Sequence, residues 1–343
     1  MSSRFSLLAL LSLLMSLAYL DSRHGSPFGI DAVSAVTPGR VSVVGAVALE
    51  ETDAALTAAQ IDEVVRRAVY LSGGLHKAID PGARWIVVRV ADPRGAGAES
   101  GAAKAAHSYL AVIRAVVGLL HQAAGEARIS LAVGSTPAVV SGPASGDTRP
   151  TREEKGRETA LGELAADLVA AGIEVDIVDL ATEETESVEV PDGGEAAAEY
   201  AVPIAILECD NIVNVAPYSR GGVSGLANLV GLAANDEAAA HEMARLVDLA
   251  LLAETAYTVL GLLGTGGEDP SRPHFEAILA GHDPIAVDRI SLEMTAADTS
   301  RLAALHLASS RRLGTVDLQW IKVNGVEVRG TWKESGRDSS AVE

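Results

Sequence analysis

The segment AGHDPIAVD at positions 280–288 decides the fold of this chain. Residues 275–279 ahead of it, mostly apolar, predict a short buried strand, and residues 285–296 behind it predict a helix. Asp283 stands where an N-cap belongs, and Pro284 takes the first helical position, where its missing N–H costs nothing. A strand followed at once by a capped helix is a building unit of α/β sheets.

The rest of the chain repeats this alternation. The sequence predicts strands at 41–49, 84–90, 129–133, 175–180, 201–208, 212–215 and 257–263, and helices at 57–72, 102–124, 159–171, 228–234 and 238–254. A polar loop is predicted at 139–156 and an acidic insertion at 181–195, and the strands at 201–208 and 212–215 are candidates for an antiparallel pair. The expected fold class is α/β, with a mostly parallel sheet, helices on both faces and Rossmann-like layers.

The strand-to-helix turn after residue 279 is a candidate ligand site. In open α/β sheets ligands bind outside the carboxyl ends of the strands, so His282, Asp283 and Asp288 could line a pocket. The alternative is that Asp283 only caps the helix and that Asp288 only faces solvent.

A second junction carries the sequence GGVSG at 221–225, after a strand and before a helix. Its backbone N–H groups could bind an anion, although such loops also simply make tight turns. Because strand-to-helix junctions of a parallel sheet share one edge, both turns are expected to form one pocket. Its predicted ligand-binding residues are Arg220, Gly221, Gly222, Gly225, Asn228, His282, Asp283 and Asp288.

Metal binding has weak support in the sequence. The candidate ligands are His241, His274, His282, Asp283 and Asp288. They lack a close spacing such as H-x-x-x-H, so no metal site is predicted.

Composition limits the function classes. The 343 residues are 48% hydrophobic, which suffices for a large core, and the net charge of −19 argues against nucleic acid or an anionic membrane surface as a partner. A single cysteine, Cys209, excludes an internal disulfide and a cluster ligated by several cysteines of this chain, which argues against an iron–sulfur cofactor.

The N-terminus predicts export. Arg4 precedes an apolar run at 5–20, which is short for a membrane span, and Ala18 ends a small-x-small cleavage site. We expect a signal peptide at 1–18 and a periplasmic or extracellular protein. The alternative is an uncleaved signal that anchors the chain in the membrane.

Beyond the signal, the sequence predicts a linker at 19–40, a single α/β domain at 41–330 and a disordered tail at 331–343. No membrane contact is expected beyond the N-terminal segment.

Four blocks carry a family resemblance: CDNIVNVAP at 209–217, GLANLVG at 225–231, GHDPIAVDRISLEM at 281–294 and SSRRLGTVDLQWIKVNGVEV at 309–328. They resemble an uncharacterised prokaryotic family known as domain of unknown function 362. The likeness spans roughly 61–328 and implies an α/β fold, but the family has no settled activity. Some members carry ferredoxin-like cysteine clusters, and the resemblance to them implies a redox protein as one candidate partner.

This chain departs from the family at polar positions. Where the family carries Lys-x-His, residues 218–220 read Tyr-Ser-Arg, and the Lys expected before Asn228 is Ala227. The resemblance therefore implies a divergent member with a degenerate site. Two functions remain open: an exported protein that binds a small anionic ligand, or an enzyme acting on a small anionic substrate, with or without a metal, in which His282 or Asp288 handles protons.

Overall fold

The computed structural model describes residues 41–48, 56–91, 102–134, 152–218, 223–229, 242–263, 276–295 and 302–325. All of these belong to one compact unit. The predicted signal peptide, linker and tail lie outside the described residues, so these boundaries stay predictions. No helix in the described ranges is long and apolar enough to cross a membrane.

The strands are β1 (Ser42–Ala48), β2 (Trp85–Val90), β3 (Arg128–Val133), β4 (Val175–Asp179), β5 (Thr185–Glu189), β6 (Glu199–Pro203), β7 (Asn211–Pro217), β8 (Tyr257–Leu262), β9 (Ala277–Gly281) and β10 (Ile321–Gly325). The helices are α1 (Ala58–Leu71), α2 (Ala102–Ala123), α3 (Arg152–Ala170), α4 (Ile204–Glu208), α5 (Ser224–Ala227), α6 (Glu242–Ala253), α7 (Pro284–Thr295) and α8 (Leu302–Ser310). Short 3₁₀ turns occur at Leu75–Lys77 and Leu318–Trp320.

Eight strands form one sheet in the order β10-β1-β9-β8-β7-β2-β3-β4. The pairs from β8 to β4 and the pair of β1 with β10 are parallel, whereas β9 is antiparallel to both of its neighbours, β1 and β8. The predicted fold class, a mostly parallel α/β sheet, is confirmed. The reversed strand has a direct effect on the predicted site.

Helices cover both faces of the sheet because its strands are apolar on both sides. Val213 and Val215 of β7 pack into a core with α1, α2 and α3, whereas Ile212 packs on the opposite face against residues of α6 and α8. On that opposite face β7 also carries a fully buried polar side chain, Asn214. The site described below is built around it.

The N-terminus of α1 shows how local sequence fixes an element boundary. The Thr57 side chain accepts a hydrogen bond from Gln60 N at 3.3 Å, and Gln60 Oε1 accepts one from Thr57 N at 2.9 Å. This is the capping box that the sequence predicts.

Three predicted elements need correction. Helix α3 begins at Arg152, inside the predicted loop at 139–156. The acidic insertion contains β5, which pairs with β6 as a separate two-stranded antiparallel sheet.

The predicted strand at 201–208 ends at Pro203, and its second half is α4. Pro203 has no N–H to continue a strand ladder, and the apolar run that follows is compatible with either element. The predicted antiparallel pairing with 212–215 is therefore wrong, because β7 pairs in parallel with β2 and β8.

Candidate functional site

Asp288 joins the two predicted junctions. It lies in the second turn of α7 and is 0% exposed. Its Oδ1 accepts a hydrogen bond from Gly225 N at 2.7 Å, and its Oδ2 accepts one from Leu226 N at 2.9 Å. The alternative that Asp288 faces solvent is wrong: this carboxylate takes up backbone donors at the start of α5, where an external anion was expected to bind.

Burial and hydrogen bonding act on Asp288 in opposite directions. Burial raises the pKa of its carboxyl to about 7, whereas the bonds from Gly225 and Leu226 lower it. Burial has the larger effect, so the pKa of this carboxyl is raised on balance.

Asn214 and Asn228 extend this network to the sheet. Asn214 Nδ2 donates to the carbonyl of Gly225 at 2.9 Å. Asn228 Nδ2 donates to Asn214 Oδ1 at 2.7 Å and to the carbonyl of Val215 at 2.9 Å. The network therefore links β7, α5 and α7, and brings Gly225, Asn228 and Asp288 of the predicted site together.

Asn214 belongs to a row of polar side chains across the sheet. Arg89 of β2 is in register with Asn214, and Asn214 is in register with Thr258 of β8, so the three share one face. All are buried, with Arg89 3% exposed and the other two 0%. We call Arg89, Asn214 and Thr258 the polar row.

At the polar row, Asn228 Oδ1 and Thr258 Oγ1 have no hydrogen-bond partner within the described part of the chain. Buried polar atoms are nearly always paired in folded proteins, so an unpaired one calls for an explanation, such as a water molecule or a ligand. Arg89 contributes a cation, whose Nη1 donates to the carbonyls of Val90 and Ala132.

Tyr109 of α2 fixes the ends of β2 and β7 from the other face. Its hydroxyl donates to the carbonyl of Val215 at 2.8 Å and accepts a bond from Ala91 N at 2.8 Å. Burial raises the pKa of the Tyr109 phenol, so the hydroxyl stays protonated. One side chain thus connects the ends of the two strands beside the polar row.

Asp283 has a structural role at the start of α7. Its Oδ1 accepts a hydrogen bond from Ala286 N at 2.9 Å, which confirms the predicted N-cap. Its Oδ2 accepts bonds from Thr315 N at 2.8 Å and from the Ser42 hydroxyl. Burial raises the pKa of Asp283, and these bonds lower it. Asp283 thereby ties α7 to β1 and to residue 315.

His282 packs edge-on against the ring of Tyr257, with the ring centroids 5.0 Å apart. Because β9 is antiparallel to β8, Gly281 at its end is in register with Thr258 near the start of β8. The turn at 282–283 therefore lies at the end of the sheet where β7 and β8 begin. Tyr218, which follows the last residue of β7, lies at the opposite end. The expectation that both junctions share one edge is wrong, since it assumed that β9 runs parallel to its neighbours.

Several predicted residues lie outside the described ranges: Arg220, Gly221, Gly222, His241 and His274. The described residues contain no group of three or more His, Cys, Asp or Glu that could hold a metal ion. The ligand-binding role of the predicted residues stays a prediction.

Sequence reasoning missed the polar row. Arg89 lies in WIVVRV, Asn214 in NIVNVAP and Thr258 in YTVLGL. A polar residue within an apolar strand that is covered on both faces was the available signal, because such a side chain must be buried with a partner.

Comparison with known proteins adds the following. The family model described as "Domain of unknown function (DUF362)" matches residues 96–293, which is more than half of the chain. No curated protein matches the chain.

Among solved structures, the lactate racemase apoprotein from Thermoanaerobacterium thermosaccharolyticum is similar, with a TM-score of 0.37, 14% identity, and coverage of 59% of this chain and 48% of the racemase chain. The chain thus spans about half the length of that protein, and a likeness this distant carries no argument about function. By the extent of the family match, the chain belongs to the family of domain of unknown function 362.

Proposed function

We propose that this protein binds a small anionic ligand and performs no proton transfer at the 281–288 turn. The absence of proton transfer rests on Asp288, whose two oxygens already accept hydrogen bonds from Gly225 N and Leu226 N. A general base must come within hydrogen-bond distance of the proton it removes. A buried carboxylate that holds the start of α5 serves the architecture instead.

The polar row supplies the binding groups in this proposal. The Arg89 guanidinium suits oxyanions, because its planar donors match their geometry. Asn228 Oδ1 is a buried acceptor, so the ligand must offer it a hydrogen-bond donor. Thr258 Oγ1 can donate a hydrogen bond to the ligand or accept one from it. The ligand class that fits both properties is a small oxyanion that carries its own hydrogen, such as hydrogen phosphate or hydrogen carbonate.

Titration calorimetry of the full chain with phosphate and with bicarbonate tests this function. Thr258→Val removes a hydroxyl that has no described partner and keeps the side-chain shape, so the free protein should remain as stable as before. Its affinity for the bound oxyanion should fall about tenfold through the loss of one hydrogen bond.

Thr255→Val is the matched control, because Thr255 Oγ1 is also buried without a described partner but lies before β8, outside the polar row. It should bind like the wild type. Equal affinity of the Thr258→Val and wild-type proteins, or no binding of either oxyanion, would contradict the proposal.

An enzyme is the second candidate, and one observation favours it. The pKa of about 7 for Asp288 lies in the range of a general acid or base at neutral pH. Carbodiimide labelling of carboxyl groups, read by mass spectrometry, separates the two candidates. Asp288 should remain unlabelled in the folded protein, and labelling at the rate of exposed carboxylates would support the enzyme.

We also propose that the protein is exported. The proposal rests on Arg4, the apolar run at 5–20 and the cleavage site ending at Ala18. Intact-mass analysis of the cell-envelope fraction should find a chain that begins at Tyr19. A cytoplasmic chain that retains Met1 would overturn the export proposal, and a membrane-bound chain that retains the signal would show the anchored alternative.

A further inference from the structure

A separate cavity, open to solvent on one side, lies between α7, α8 and the 3₁₀ turn at Leu318–Trp320, and two of its lining residues, His306 and Asp317, are exposed. Its volume is about 420 Å³, and it is lined by Arg289, Leu302, His306, Val316, Asp317 and Leu318. None of these residues belongs to the polar row. Binding pockets for small molecules begin at roughly 300 Å³, so the cavity can hold one small organic molecule.

Arg289 provides a cation whose Nη2 forms no hydrogen bond within the described residues. Its Nε donates to the carbonyl of Val316 at 3.2 Å, and its Nη1 pairs with Glu293. These two bonds fix the guanidinium at the cavity wall. Nη2 forms neither of them, so it remains able to donate to a ligand.

Asp317 provides the opposite charge. Its Oδ1 accepts a hydrogen bond from Gln319 N at 3.2 Å, and its Oδ2 accepts one from the Gln319 side chain, which holds the carboxylate in place. Each oxygen can accept a further bond.

Arg289 and Asp317 are neighbours that do not pair with each other. The guanidinium bonds the carbonyl of Val316, the residue directly before Asp317. Its ion pair within the described residues is formed with Glu293 instead. A positive and a negative group thus line the same cavity, separated by more than the length of an ion pair.

The remaining lining consists of three apolar residues and one histidine. Leu302, Val316 and Leu318 contribute hydrocarbon surface, and His306 adds an imidazole N–H donor. A ligand that matches the charged and apolar parts of this lining carries a carboxylate for Arg289, an ammonium for Asp317 and an apolar group.

We propose that this cavity binds a small zwitterion with an apolar side chain, that is, an apolar α-amino acid. The carboxylate bonds Arg289 Nη2, and the ammonium bonds the carboxylate of Asp317. The side chain packs on Leu302, Val316 and Leu318. The site is independent of the oxyanion site proposed above, because the two share no residue.

Titration calorimetry of the full chain with L-leucine tests the proposal. Two analogues of leucine each lack one charge: 4-methylpentanoate has no ammonium, and 3-methylbutylamine has no carboxylate. L-Leucine should bind, and each analogue should bind at least about tenfold more weakly, since each loses a charged hydrogen bond. If either analogue binds as well as leucine, or if leucine does not bind, the proposal is overturned.

Variants assign the two ends of the ligand. Arg289→Gln should weaken leucine binding about tenfold without affecting the already weak binding of the amine. Asp317→Asn, which keeps a capping side chain at the 3₁₀ turn, should weaken leucine binding and leave that of 4-methylpentanoate unchanged.

Arg66→Gln is the matched control, because Arg66 also pairs with a carboxylate four residues away, Asp62. It should bind leucine normally, as should Thr258→Val. Equal weakening of leucine binding by Arg66→Gln and Arg289→Gln would show a general charge effect and overturn the assignment. A failure of oxyanion binding alone would leave this cavity's result intact.

Discussion

Asp248 and Asp288 are both 0% exposed, and each accepts hydrogen bonds from consecutive backbone N–H groups of a distant segment. Asp288 binds the N–H groups of Gly225 and Leu226. Asp248 binds those of residues 195–197 and the hydroxyl of Tyr200. In both cases a carboxylate inside the protein satisfies backbone donors that an external anion would otherwise have to reach.

Asp288→Asn should destabilise the protein. The amide oxygen can accept from one of the two N–H groups, but the amide nitrogen then faces the other donor, which is left buried and unpaired. We expect a loss of about 1–3 kcal/mol in the free energy of unfolding, measured by urea denaturation. Asp62→Asn, which removes an exposed ion pair with Arg66, is the control and should change stability by less than about 1 kcal/mol. A smaller effect at Asp288 than at Asp62 would contradict the structural role.

Stability should fall as pH rises from about 4 to about 7, because carboxyls with raised pKa values hold protons in the native state. Burial raises the pKa of Asp288 and of Glu254 to about 7, from ordinary values of 3.8 and 4.5. In this window the native state holds protons that the unfolded state has released, so the contribution of each group is complete below its unfolded pKa and is lost as pH rises through the folded pKa.

Glu254→Gln isolates one of these two groups. The variant should lose less stability than the wild type between about pH 4 and about pH 8, because glutamine does not titrate. Urea denaturation at both pH values measures the difference. Parallel stability curves for the two proteins would show that Glu254 has an ordinary pKa.

Asp283→Ala should cost more than the loss of an ordinary cap. Removing an N-cap costs about 1 kcal/mol, and here the N–H of Thr315 is also left without its acceptor, so about 2–3 kcal/mol is expected. Thr57→Ala is the comparison, because Thr57 caps α1 from an exposed position and should cost about 1 kcal/mol. Thermal unfolding of both variants gives the ranking. Equal losses would mean that the bonds of Asp283 to Ser42 and Thr315 add nothing.

Gly225→Ala should disturb the network without altering any charge. A Cβ at this position would lie 3.1 Å from Asp288 Oδ1 and 3.2 Å from Oδ2, closer than carbon and oxygen normally approach. The hydrogen bonds must lengthen, and we expect a loss of roughly 1–2 kcal/mol in the free energy of unfolding. Gly162→Ala in α3 meets nothing within 4 Å and should instead stabilise the protein by about 0.5–1 kcal/mol. The sign difference between the two variants is the readout in urea denaturation.

Local sequence signals were sufficient to predict most of the helices and strands. The boundaries of α1 and α7 follow from Thr57, Asp283 and Pro284, each of which acts within one turn of its own position. Strands such as β2 and β8 follow from apolar runs of ordinary strand length. The direction of β9 could not be predicted this way, because the sequence AILAG is equally compatible with a parallel or an antiparallel neighbour.

At the candidate site, too, local sequence predicts the element in which a residue lies but not the partners of its side chain. The sequence places Asp288 one turn into a helix, but its partners Gly225 and Leu226 lie more than 60 positions away along the chain. Whether such a carboxylate faces solvent, a ligand or backbone donors depends on which helix packs over it. Arg89 and Thr258 became neighbours of Asn214 only through strand order, which no local pattern specifies.

The position of β1 has a consequence for the folding pathway. Its only sheet partners among the described strands are β9 and β10, which follow it by more than 200 residues. As the chain emerges from the ribosome, β2, β3 and β4 can pair early, whereas β1 must wait until nearly all of the remaining sequence has been made. Contacts of such high sequence separation slow folding, so the N-terminal strand should be among the last to dock. Until then the apolar side chains of Val44 and Ala46 stay exposed to water and to any chaperone that recognises unpaired strands.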